Sequence, residues 1–117
     1  MIDDIFCKII KKEFNADIVA EGDDWLAFHD IHPAAPVHIL IVPKKHFLDL
    51  SEADKTNSEL LGNLLLAAEK IATQLKLEKG YRIIINKGEN GGQLVPHFHI
   101  HLLGGVKLGK KMVQDPK

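Results

Sequence analysis

Three imidazoles stand at alternate positions in "PHFHIHLLGG" (96–105): His97, His99 and His101, with Phe98, Ile100 and Leu102 between and after them. Alternate side chains of a strand share a face, so the histidines are expected to line one face and the apolar residues the other. Three readings fit. A half-buried strand carries polar residues on its open face, although such a face would mix Thr, Lys and Glu rather than repeat one type. His-x-His on a strand can offer zinc two nitrogens at about 2.0–2.1 Å, with a third ligand from elsewhere. An unmetallated imidazole, with an ordinary pKa near ~6.5, is largely neutral at neutral pH. It can serve as a nucleophile while its neighbours donate hydrogen bonds to a phosphate oxygen or a leaving group. The preceding "NKGENGGQ" (86–93) is rich in glycine, and such loops let backbone N–H groups approach an anion closely. Alone that loop is only a turn; beside three histidines it points to phosphate.

The elements that must position these residues read as follows. Ile5, Phe6, Ile9 and Ile10 have helical spacing, which predicts a short amphipathic helix over 4–12. "DIVAE" (17–21) and "WLAFHDI" (25–31), joined by "GDD", predict a hairpin. "HPAAP" (32–36) is a proline-bounded loop, and "VHILIVP" (37–43) is a strong strand closed by Pro43. A long helix is expected from a Ser51 cap, with Glu52 and Asp54 in its first turn. Its stripe is Leu60, Leu61, Leu64, Leu65, Ala68, Ile71, Ala72 and Leu75, and Gly80 lies just beyond its end. "YRIIIN" (81–86) and "HFHIHLL" (97–103) are the last two strands, able to pair antiparallel across the glycine loop. The expectation is α+β: a five-stranded, mostly antiparallel sheet with one long and one short helix, the long helix covering one face. The histidines would then stand in a row on the face left uncovered.

With 117 residues, 45% of them hydrophobic, the chain is sized for one domain with a core. A single domain over 1–117 with a polar tail from 106 is expected. Lys plus Arg total 15 against 16 acidic residues, so nothing suggests bulk attraction to nucleic acid. The short pairs Lys11-Lys12, Lys44-Lys45 and Lys110-Lys111 read as solvated lysines. Cys7 is the only cysteine, which fits a reducing compartment. Neither a signal peptide nor a membrane-spanning run is evident, so a cytoplasmic location is expected.

"NKGENGGQLVPHFHIHLLGG" resembles the signature of the histidine-triad (HIT) superfamily, His-φ-His-φ-His-φ-φ with φ apolar. "IFCKIIKKEF", "WLAFHDIHPAAPVHILIVPKKH" and the leucine-rich helix are similar to its nucleotide-binding branch, so the likeness runs from 4 to 105. The resemblance implies a homodimer that binds purine nucleotides of the AMP type and hydrolyses nucleoside phosphoramidates or related adenylates. It implies that His99 is the nucleophile and forms a nucleotidyl-histidine. His101 would donate to phosphate oxygens or the departing amine, and His97 and His38 would support the cluster. Without the resemblance, His38 reads as a tolerated strand residue. Asp30 would accept the ribose hydroxyls, since a carboxylate can take two O–H donors. Phe28 and Ile31 would line the base pocket, although core packing suits both equally. Asn86, Gly92 and Gln93 would form the phosphate-side loop. No cofactor is required. The chain departs from the pattern at Leu94, where a hydroxyl is often found, at Pro96, where an aromatic is common, and at Val106 in place of Arg. Some relatives hold zinc through Cys-x-x-Cys and two histidines. The corresponding residues are Asp4, Cys7, His46 and His97, so one thiolate is missing, and at most a weak site is expected. The alternatives are a dinucleoside polyphosphate hydrolase and a nucleotide-binding regulatory protein with little turnover.

Overall fold

Ile39, Leu40, Ile41 and Val42 are consecutive and all buried. A continuous apolar run of this kind is a strand covered on both faces, and it predicts a layer above and a layer below. The computed structural model, which describes residues 4–54 and 57–109, has both layers. The elements are α1 (Ile5–Ile10), β1 (Ile18–Glu21), β2 (Trp25–His29), β3 (Val37–Pro43), a 3₁₀ turn (Leu50–Glu52), α2 (Ser58–Gln74), β4 (Arg82–Ile84) and β5 (Ile100–Gly104). The strands form one sheet in the order β1-β2-β3-β5-β4, and every neighbouring pair is antiparallel. The α+β expectation, the 17–31 hairpin and the pairing of the last two strands are all found.

On one face α2 covers the sheet. Leu64, Ala67, Ala68, Ile71 and Ala72 pack with Ile39, Ile41, Phe98, Ile100 and Leu102. Each fully buried aliphatic side chain of this kind contributes about 1.5–3 kcal/mol of transfer free energy. Of the predicted stripe, Leu65 is half exposed, and Ala67 takes a buried place instead.

Three expectations need correction. The long helix does not start at Ser51. Asp49 Oδ1 accepts from both the Ser51 backbone N–H at 2.8 Å and the Ser51 hydroxyl. The Ser51 hydroxyl is thereby spent, a separate 3₁₀ turn closes at Glu52, and α2 begins at Ser58. The last strand begins at Ile100, so His97 and His99 lie on the segment that enters it. The remaining face is not open either. Phe6 and Ile9 of α1 lie over Leu26, Phe28, Leu40 and Val42 in a second small core. No helix among the described residues is long and apolar enough to cross a membrane. The expected tail falls mostly on 110–117, outside the described residues, as does Lys110-Lys111.

Candidate active site

Leu40 of β3 pairs with His101 of β5. His38 lies two residues before Leu40, so both imidazoles rise on the α1 side of the sheet. Their rings meet, with His38 Nε2 2.9 Å from His101 Nδ1. His99 stands beside them, its ring centroid 4.9 Å from that of His101 and 5.1 Å from Phe6. His99 Nδ1 lies 2.7 Å from the His97 carbonyl oxygen. A carbonyl only accepts, so Nδ1 carries the proton and Nε2 keeps its lone pair.

These groups line a cavity of about 580 Å³. His38, His99, His101, Asn86 and Asp30 form its polar side; Ile5, Phe6, Ile9, Phe14, Phe28 and Leu40 form its apolar side. Few polar groups converging on an apolar recess is the usual build of a small-molecule site. Ile31 and Leu94 stand at its margin, 84% and 92% exposed. Leu94 is therefore not a packing residue. A larger cavity of about 710 Å³, between 76–80 and 105–107, holds none of the histidines.

Of the expected site residues, His97 and Gln93 are not in the lining. His97 is fully buried behind His99. Gln93 holds the glycine loop together: its Nε2 donates to Leu48 O at 2.7 Å and Val95 O at 3.1 Å, and its Oε1 accepts from Gly88 N–H. The loop needs its glycines. A side chain on Gly91 would meet Lys87 O at 2.2 Å, and Gly92, which reaches the cavity, has φ +77°. The contribution of α1 to the cavity was not foreseen. Its only signal was the apolar spacing of Ile5, Phe6 and Ile9, which does not say what the helix covers.

Burial sets the charge of the cluster. Desolvation lowers the pKa of His97 and of His99, outweighing the carbonyl partners Pro43 and His97 that raise them. His101 is lowered to about 4 by desolvation and by the neighbouring imidazoles of His99 and His38. All three folded values lie below the ordinary ~6.5 of an unfolded histidine. Below that pH the unfolded chain binds protons that the folded site refuses. Stability is therefore complete above pH ~6.5 and declines as pH falls toward the folded values. The urea midpoint is expected to be level above pH 7 and to fall steadily between pH 6.5 and 5. A midpoint that stays flat over that interval would contradict the assignment of neutral, buried imidazoles.

A second cluster lies behind the first. Asp4 caps α1 with Oδ1, which accepts from Cys7 N–H at 2.8 Å. Its Oδ2 lies 3.1 Å from His46 Nε2 and 3.2 Å from His97 Nδ1. Cys7 Sγ is 3.6 Å from the same His97 nitrogen. Burial raises the Asp4 pKa, but the Cys7 N–H and the two imidazoles outweigh it, and the net value is below 3.8. His97 Nε2 donates to Pro43 O at 3.0 Å, so in the neutral ring Nδ1 presents a lone pair to the carboxylate.

The four donor atoms lie within 4.8 Å of one another. Tetrahedral zinc with bonds of about 2.0–2.3 Å has ligand–ligand edges of roughly 3.3–3.6 Å. The residues therefore fit such an ion, with a carboxylate where related sites have a thiolate. Its place would be structural, fixing α1 to the 43–46 and 96–97 segments. Thiolate is the softer ligand, so Asp4→Cys is expected to tighten zinc binding at least about tenfold in competition with a chromophoric chelator. Equal affinities for the two proteins would remove Asp4 from the ligand set.

Comparison with known proteins identifies the relatives of this chain. The HIT domain pattern matches residues 11–108. An uncharacterised HIT-like protein of Synechococcus elongatus is 55% identical over 106 residues, 91% of this chain and 93% of that protein. A HIT family hydrolase from Clostridium thermocellum superposes with a TM-score of 0.92 at 46% identity, covering 97% of this chain and 99% of that one. A histidine triad nucleotide-binding protein from Candida albicans superposes with a TM-score of 0.79 at 31% identity, covering 97% and 86%.

Proposed function

The chain belongs to the HIT domain family, whose solved structures include HIT family hydrolases, and from that premise we propose that it hydrolyses purine nucleoside phosphoramidates or related adenylates. The observation that carries the reading is His99: Nδ1–H is tied to the His97 carbonyl, and Nε2 has no hydrogen-bond partner among the described residues and belongs to a ring lining the cavity. A neutral imidazole with one nitrogen anchored and the other bare is prepared for nucleophilic attack.

In this reading Asp30 takes the ribose hydroxyls, and Phe28, Ile31 and the α1 side chains receive the base. Asn86 and the Gly92 backbone lie toward the phosphate, which His101 also contacts by donation. His99 Nε2 attacks the α-phosphorus, the P–N bond breaks, and the amine leaves with a proton drawn from solvent. Water then attacks phosphorus and gives up a proton to solvent, the P–Nε2 bond breaks, and the nucleoside monophosphate is released. Splitting the displacement avoids one hard step in favour of two easier ones. The same reading makes the protein a homodimer, with the edge strand β4 as a natural place for a partner to pair.

The test is a comparison of turnover on adenosine phosphoramidate and on a diadenosine polyphosphate. Faster cleavage of the phosphoramidate supports the reading. Faster cleavage of the polyphosphate transfers the protein to the dinucleoside polyphosphate hydrolases, and tight binding without turnover of either makes it a binding protein.

Leu94 bears on the leaving group. A smaller cavity of about 370 Å³, lined by Leu48, Gly88, Gln93 and Pro96 among others, adjoins the nucleotide cavity across Gly92 and Leu94. Leucine cannot donate a hydrogen bond to a departing nitrogen. Such a bond is worth about 0.5–1.5 kcal/mol, so Leu94→Ser is expected to speed phosphoramidate hydrolysis by up to roughly tenfold. Acyl-adenylate hydrolysis, which needs that bond less, should barely change. Equal effects on both substrates would show that residue 94 does not act on the leaving group.

A further inference from the structure

Which nitrogen of His101 carries the proton decides whether that ring can donate to a phosphoryl group. His101 titrates only at about 4, so above that pH the tautomer, and not the charge, sets what the ring offers. The tautomer can be traced from outside the histidine cluster. The backbone N–H of Ala34 points at His38 Nδ1 from 3.0 Å. A backbone amide only donates, so His38 Nδ1 must hold the lone pair, and the proton of that ring lies on Nε2. His38 Nε2 is 2.9 Å from His101 Nδ1 and 3.4 Å from Asp30 Oδ2. The shorter contact is the better bond, so Nε2–H donates to His101. His101 Nδ1 is then an acceptor, and its own proton lies on Nε2, on the other side of the ring; the Asn86 Nδ2 donor stands 3.5 Å from that nitrogen, too far to impose the opposite tautomer against the contacts of 2.9 Å and 3.0 Å.

We propose that the backbone N–H of Ala34 is a positioning group that, acting through His38, holds His101 as an Nε2–H donor toward the phosphoryl group. This rests on the phosphoryl-transfer reading above for its consequence, though not for its geometry. The donor is well held. Pro33 and Pro36 fix φ on either side of it, and Asp30 Oδ1 accepts from His32 N–H at 2.8 Å. Without that donor the His38 ring can shift its proton to Nδ1 and turn a bare Nε2 toward His101. His101 would then place its proton on Nδ1 and present a lone pair, which repels phosphate oxygens.

The test uses protein labelled with ¹⁵N at histidine and at the backbone. In the wild type at pH 7, long-range ¹H–¹⁵N spectra are expected to show His38 and His101 both protonated on Nε2. A coupling across the hydrogen bond from Ala34 N–H to His38 Nδ1 is expected as well. Ala34→Pro removes the donor, whereas Ala34→Gly keeps it. The proline variant is expected to shift the His101 nitrogens toward a mixed tautomer and to lower kcat on adenosine phosphoramidate by roughly three- to tenfold, with KM changed less than about twofold. The glycine variant should match the wild type in both. A wild-type His101 protonated on Nδ1, an absent coupling, or a folded Ala34→Pro with unmoved His101 nitrogens would each overturn the proposal. The spectra and the coupling decide the matter even where Ala34→Pro fails to fold. Because they need no substrate, a protein that leaves phosphoramidates intact loses the proposed reaction without losing these signatures.

Discussion

His99→Ala is expected to lower turnover by roughly 10⁴-fold or more while the protein remains folded and still binds nucleotide. The size follows from what is removed. On the proposed mechanism, removal of Nε2 leaves no nucleotidyl-histidine, and hydrolysis proceeds only by direct attack of water. The remaining donors can still polarise the phosphate, which accounts for a residue of activity. Folding should survive because the His99 ring lines the cavity rather than the α2 core. Single-turnover hydrolysis of adenosine phosphoramidate together with an AMP titration separates the two effects. A folded His99→Ala protein that keeps a tenth of wild-type turnover would exclude His99 as nucleophile.

The largest loss of stability is expected at the residue between the two buried histidines. Phe98 is 2% exposed and stacks on Phe47, with ring centroids 5.0 Å apart and planes 19° apart. Its backbone N–H donates to Phe47 O at 2.7 Å. Phe98→Ala removes a buried ring from under α2 and leaves a cavity that neighbours on the sheet cannot close. The cost should be about 3–5 kcal/mol. Urea unfolding at pH 7.5, with the slope unchanged, measures it. A loss below about 1 kcal/mol would show that the ring is not part of the core. Because His97 and His99 flank it, turnover should also decline, even at temperatures where the variant stays folded.

The parts of this molecule that were legible in advance share a long or strict periodicity. The stripe along α2 repeats over several turns, so its buried face could be read from residues 60–75. Strand 37–43 and the alternation at 97–102 were equally plain, since period two leaves no other partition of histidines and apolar residues. What escaped depended on competition or on meetings across the fold. Ser51 has the chemistry of a helix cap, and only the position of Asp49 reveals that its hydroxyl is already engaged. Phe6 and Ile9 announce an amphipathic turn, but their pattern does not say that they roof the histidines. Asp4 and Cys7 lie far from His46 and His97 in the chain, and the four are grouped in advance only by the family resemblance; the folded sheet is what brings their donor atoms within 4.8 Å of one another. The resemblance implies a place for Gln93 in the phosphate-side loop, and its amide is consumed in shaping that loop. The Ala34 amide could not have been found at all, because a backbone donor leaves no mark on residue type.

One consequence lies in the length of α1. The helix runs only from Ile5 to Ile10, well short of what persists as an isolated helix in water. Its order is borrowed from Phe6 and Ile9 against the sheet and from the Asp4 carboxylate. Yet Ile5, Phe6 and Ile9 are also wall of the cavity that His38, His99 and His101 line. The wall and the ligand are therefore thermodynamic partners: whatever fills the cavity strengthens the docking of α1, and whatever loosens α1 weakens the hold on the ligand by the same free energy. A substitution at the amino-terminal end of the chain, far in sequence from any histidine, would thus be read out as a change in affinity.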